Sequence, residues 1–316
     1  MKRAPLVWGG AVAAVVAAGA GLLALVIGAT ATPEAHVERY LQALAADDLV
    51  TASRLAGLAE GSPTPVGDAG EPAVLAVLGR IERGDDRVAI IAEYGGPTDA
   101  ATVILTLAPA EPLLGIIPQW SFTTPPVRSL EVGVDQHDEF LINDERLAAA
   151  AAGETARVTG FVPARLEIGI ADPYVDGRSV SVRLTGAAPR VVVLEAEPTA
   201  RLERGVLQEV EAFLADCVEQ EVLQPAGCPF GRAIDDRVLG LPQWELVSDP
   251  VVSLTASSTP GTWEVRALAE VGLRVTVQRL FDGRISDVDT TLTATITGEV
   301  VMRDGMPRLT IAPPRS

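Results

Sequence analysis

Residues 265–277 read VRALAEVGLRVTV, and residues 290–302 read TTLTATITGEVVM. In the first run Val265, Ala267, Ala269, Val271, Leu273, Val275 and Val277 hold every second position; in the second, Leu292, Ala294 and Ile296 alternate with threonines. A period of two sends successive side chains to opposite faces, so both runs are predicted to be half-buried strands. Asp282-Gly283 between them is a turn signal and makes the pair a hairpin. Gly272 interrupts the first run, where a bulge or bend is expected. A last strand, PRLTIA, follows at 307–312.

Upstream of this hairpin a helix is expected from Thr199, its N-cap, with Leu202, Val206, Val210, Phe213 and Cys217 along one face. Cys217 then lies at the buried end of the helix, and Cys228 returns from the loop QPAGCPFG to meet it. These are the only two cysteines. An even pair this close, in an exported chain, predicts a structural disulfide. A redox motif would need a C-x-x-C spacing, and a zinc site would need further ligands nearby.

Between helix and hairpin stands QWELVSDPVVSL (243–254), which repeats an earlier phrase, QWSFTTPPVRSL (119–130), at six positions. In each, Trp and a large residue two places on share one strand face, and a proline then interrupts the ladder. Trp120 and Trp244 are accordingly expected as core residues in matching places, the mark of two domains of related design.

The first half supports the same plan. Thr32-Pro33 opens a helix whose Val37, Tyr40, Leu41 and Leu44 form a buried stripe. Asp47 or Asp48 caps a second, LVTASRLA, that Gly57 ends, and Ala73–Ile81 after Pro72 reads as a third helix. From Val88 the period changes to strands. The expected fold class is α+β: two domains of helices plus a curved antiparallel sheet, at 33–147 and 199–312, with a small β segment at 155–196 between them.

The amino terminus adds a membrane element. Residues 1–5 carry Lys2 and Arg3, and residues 6–28, LVWGGAVAAVVAAGAGLLALVIG, are uncharged. Such a run matches the ~20 residues of a membrane-spanning helix, with the amino end cytoplasmic by the positive-inside rule. A cleaved signal peptide is the alternative, because Ala29-Thr30-Ala31 forms an A-x-A site. Both readings export the bulk of the chain. Gly10, Ala14 and Ala18 make a small-residue face that would permit a homodimer.

The helices-then-strands order, the phrase VERYLQALAADDLVTASRLA (37–56) and the apolar amino terminus resemble a known group. They look like exported, membrane-anchored actinobacterial proteins with cone-shaped α+β domains of the nuclear-transport-factor-two-like kind. The resemblance covers residues 33 to about 145 and 199 to 311. It implies a hollow cone in each domain. Enzymes of that group line the cone with acids and histidines, whereas the strands here are apolar, so the resemblance implies a binding or scaffold role.

Composition points the same way. With a net charge of −17 and 4% aromatic residues, the chain would repel phosphate backbones and offers few stacking platforms, which argues against nucleic acid. No nucleophile elbow, phosphate loop or H-E-x-x-H motif is present. Of the two histidines, His36 is expected on the wet face of its helix and His137 at a polar hairpin tip. His137 has Asp135, Asp138 and Glu139 beside it, a composition that could hold a cation but that any polar turn also has. No catalytic, cofactor-binding or metal-ligating residue is assigned, and no cofactor is expected. The sequence reading is a non-enzymatic envelope protein, held by one amino-terminal helix, that binds a protein or cell-wall partner. Its alternative is a small-ligand carrier or enzyme using one cone.

Overall fold

The computed structural model describes residues 31–70, 74–96, 98, 100–115, 117–185, 190–303 and 305–313. The expected span at 6–28 lies outside them, and among the described residues no helix is long and apolar enough to cross a membrane.

Strand, not helix, dominates: half of the described residues are β and 14% are helical. This overturns the α+β expectation of two helix-plus-curved-sheet domains. The decisive error lies at Val74–Arg83, the body of the expected third helix, which is strand β1. Val74, Val77, Leu78 and Ile81 fit a helical stripe, but the strand pairs with its neighbour from Val74↔Gly95 to Arg83↔Arg87, with a shift after Val77. Gly79 would cost a helix interior about 1 kcal/mol relative to alanine, and valine and isoleucine prefer the pleat.

Two compact units divide the chain. The first combines the described part of Met1–Glu131 with Arg157–Ile168 and Ser181–Val191. It opens with α1 (Pro33–Ala45), where Thr32 Oγ1 accepts from Ala35 N at 3.1 Å. Asp48 Oδ1 accepts from Thr51 N at 3.0 Å to start α2 (Leu49–Leu55), and Gly57 leaves that helix at φ +74°. Both helices pack on an antiparallel sheet of β1, β2 (Arg87–Gly95), β3 (Ala101–Leu113) and β4 (Ile117–Phe122), in that order. The α1 stripe meets Ile90, Ala92, Val103, Leu105 and Leu107 from the sheet, and Phe161 closes the core. The first part of β5 (Val127–Val134) pairs here with β8 (Thr155–Phe161), and β9 (Ala164–Gly169) with β11 (Val180–Leu184).

The second unit holds Val132–Ala156, Gly169–Val180 and Val192–Ser316. Residues 155–196 are thus shared between the two units. A tight hairpin joins β6 (Glu139–Ile142) to β7 (Glu145–Ala148) through Asn143 and Asp144, both at positive φ as a primed turn requires. β10 (Val175–Asp176) pairs with β13 (Glu197–Pro198), and β12 is Arg190–Leu194. Helix α3 (Ala200–Val218) is capped by Thr199 and buries Leu202, Val206, Val210, Leu214 and Cys217. Leu214, rather than Phe213, takes the inner position.

The hairpin read from the sequence is the spine of this unit. β17 (Thr262–Gln278) and β18 (Ile285–Arg303) pair from Thr262↔Val301 to Gln278↔Ile285 without a shift, so Gly272 sits opposite Thr291 and makes no bulge. On its other side β17 takes β14 (Arg237–Val238), β15 (Gln243–Leu246) and β16 (Val251–Ala256). β19 (Met306–Ile311) pairs with the end of β18. The alternating core stripe starts at Trp263, which is 1% exposed.

Candidate functional site

Cys217 and Cys228 are bonded, across 5.8 Å between their Cα atoms. The loop they close carries Val222, whose carbonyl accepts from Trp244 Nε1 at 2.8 Å, and Phe230 just beyond it lies tilted on the same indole at 4.9 Å. Trp244 is 7% exposed. Trp120, by contrast, is half-buried at the margin of the first core, and its Nε1 donates to Ala31 O at 3.1 Å. Each phrase is a strand, a proline break and a second strand, but the partners differ. β4 pairs with β3 and β5 with β8, whereas β15 and β16 both pair with β17.

Both histidines depart from expectation in being buried, each 8% exposed. His36 shares its helix face with Tyr40, and Phe122 from β4 meets its ring edge-on at 5.1 Å. Its Nε2 lies 3.1 Å from Leu55 O, so it ties the end of α2 to α1. Burial pulls its pKa below the ordinary value; the Leu55 bond opposes this in part, and the nearby Arg39 cation adds a smaller lowering. A lowered folded pKa means that the unfolded chain binds the proton more readily. Stability carried by neutral His36 is therefore complete above about pH 6.5, the unfolded pKa, and lost as pH falls from there through the folded pKa. Thermal melts from pH 7.5 to 5 should fall less steeply for His36→Gln than for the parent; equal slopes would contradict this account.

His137 follows β5. Its Nδ1 lies 3.7 Å from Asp138 Oδ1, and its Nε2 lies 3.9 Å from Asp172 Oδ2 with no hydrogen bond. The neighbouring acids are committed elsewhere. Asp172 Oδ1 accepts from Tyr174 N and Val175 N, Asp135 Oδ1 accepts from Ala196 N, and Glu139 pairs with Arg146. Of the three acids beside it in sequence, only Asp138 comes within ion-pair distance of His137, while Asp135 and Glu139 are held by Ala196 and Arg146. Among the described residues no group of three or more such side chains could hold a metal.

Among the hollows of the first unit, one small and one larger are lined by described residues. One, of about 30 Å³, is bordered by Asp68, Tyr94, Arg165 and Arg183 and has room for only a water or two. Burial, and then the Asp68 carboxylate, raises the Tyr94 phenol far above its usual pKa, so it stays protonated. The other is a groove of about 430 Å³ lined by Thr102, Ile104, Phe122, Pro125, Pro126 and Arg128.

The groove lies against an incomplete ladder. β2 pairs with β3 from Ala101 to Leu107, but β4 pairs with β3 only from Leu107 onward. Thr123 N–H adds one bond to Thr106 O at 2.9 Å. Since Thr106 turns its carbonyl to this side, Ile104 and Thr102 do the same with their N–H and C=O groups. Among the described residues no strand takes them up. This edge escaped the sequence reading: TVILTLA announces a strand, but where its neighbour stops depends on register.

Set against known proteins, the chain matches no family model, no curated protein and no solved structure.

Proposed function

We propose that the chain is a non-enzymatic binding or scaffold component of the cell envelope, whose first unit takes an extended peptide along β3. One observation carries this reading: the groove of about 430 Å³ runs beside unpaired backbone at Thr102 and Ile104. Only another extended backbone supplies donors and acceptors at that spacing, and side-chain pockets beside such an edge give selectivity. Threonines, prolines, Ile104 and Phe122 around it can bury a peptide but cannot move protons at neutral pH. The Cys217–Cys228 bond favours an oxidising compartment. The uncharged run at 6–28 supports a tether to the membrane, with the described residues outside the cytoplasm.

A photo-crosslinking residue at position 104, in the native host, should capture a protein partner, whereas one at Arg83, the last residue of β1, should not. Thr102→Pro removes one outward N–H and should cut the adduct by about tenfold with the melt unchanged. Equal capture at both positions, or undiminished capture in Thr102→Pro, would sink the reading.

A further inference from the structure

The second unit carries a longer open edge, separate from the proposed peptide site. β18 is bonded to β17 along its length, but β19 covers its outer side only from Gly298 to Arg303. One more bond follows, Ala312 N–H to Thr297 O at 2.8 Å. Pro313 has no N–H to continue the ladder. Among the described residues no strand pairs with the outer side of β18 from Ile285 to Ile296.

Thr297 shows its carbonyl on that side, so residues at steps of two from it do likewise: Asp287, Asp289, Thr291, Thr293 and Thr295. All five are exposed. Together they offer roughly 27 Å of unpaired backbone. Open edges are normally guarded by charge, proline or a bulge. Here Thr290 to Thr297 holds no charge, no proline and no bulge, and the residue types favour strands. The two acids at one end are engaged on the exposed face, Asp289 with Arg274 at 3.4 Å and Asp287 with Thr276 Oγ1 at 2.6 Å.

We infer that the occupant of this edge is a second copy of this chain, its β18 running antiparallel about a two-fold axis at Thr291. The edge is complementary to itself. In that register the five outward residues map onto the same five: Thr291 faces the partner's Thr291, Asp289 the partner's Thr293, and Asp287 the partner's Thr295. No acid meets an acid, although the chain as a whole carries −17. Threonine pairs and acid–threonine pairs are tolerated directly across an antiparallel ladder, whereas like charges are not. On the inner face Val288 would meet the partner's Ala294, and Thr290 the partner's Leu292, extending the apolar layer across the axis. About ten backbone hydrogen bonds would join the copies. A cationic peptide is the competing occupant, but the threonine centre of the edge gives such a ligand no charge to recognise.

The test uses the full chain in mild detergent. No free cysteine is present among the described residues, and the only two in the sequence are bonded to each other, so Thr291→Cys places a single thiol on the axis. A short bismaleimide should give about tenfold more covalent dimer than with Glu264→Cys, which lies on the exposed face of β17, because residues directly opposite have Cβ atoms only ~5 Å apart. Thr291→Lys sets two ammonium groups face to face and should weaken dimerisation by about tenfold or more, as should Thr291→Asp; mixing the two variants should restore a dimer. Crosslinking no better than the control overturns the inference. So does a parent chain that sediments as a monomer at micromolar concentration, or a mixture of the Lys and Asp variants that stays monomeric. Adducts formed with other proteins in place of the dimer would assign the edge to a different occupant.

Discussion

Trp244→Ala is expected to cost the second unit about 3–5 kcal/mol. The indole is almost fully buried, stands opposite Leu273 in β17, and lies against Phe230. Alanine would leave a hole between β15 and the stretch that follows α3, and it would orphan the carbonyl of Val222. That stretch is already fastened by the disulfide at 217–228, so it is poorly placed to collapse into the gap. Trp244→Phe separates the two losses, since it keeps most of the ring and drops only the donor, at about 1–3 kcal/mol. Trp120→Ala, at a half-buried position, should cost less than Trp244→Ala. Denaturant midpoints with unchanged slope decide the order. A Trp244→Ala chain as stable as the parent would remove the indole from the core.

Tyr40→Ala should be comparably damaging to the first unit, again about 3–5 kcal/mol. The ring has no exposed surface and meets Phe122 and Phe161 edge-on at 5.1 and 6.3 Å. Its hydroxyl lies 2.9 Å from Val162 O and 3.1 Å from Pro126 O, sharing one proton between two carbonyls. Burial keeps the phenol protonated far into the alkaline range, so the donor is present at any ordinary pH. Tyr40→Phe isolates this group and should cost about 1–3 kcal/mol, because both carbonyls stay buried without it. If the Phe variant matches the parent, the hydroxyl is not holding these segments.

Much of this framework could be read from the sequence where local signals agree with one another. Thr32 and Thr199 each precede a helix with a periodic stripe, and both cap it. The alternation of 265–277 forced a strand, and its extension back to Trp263 was there to be seen. Val74–Arg83 failed because its apolar residues satisfy both periods, and only its partner β2 decides between them. The polarity of His36 suggests the wet face, but its position, four residues before Tyr40, puts it on the buried one. The open edges of β3 and β18 had no local signal beyond Pro313, because an edge is defined by where another strand stops.

Tyr40 also sets a schedule. Its two carbonyl partners come 86 and 122 residues later in the chain, and the unit is not complete until residue 191 has arrived. During synthesis, which proceeds from the amino end, α1 would therefore wait in the open while more than a hundred further residues emerge. Contacts this distant in sequence slow folding, because the intervening chain must be ordered before they return any stabilisation. A piece cut off after the β6–β7 hairpin would lack Phe161 and Val162 and leave Tyr40 with half its anchorage. The helix that starts the described chain is thus among the last elements to be secured, although it is the first of them to be made.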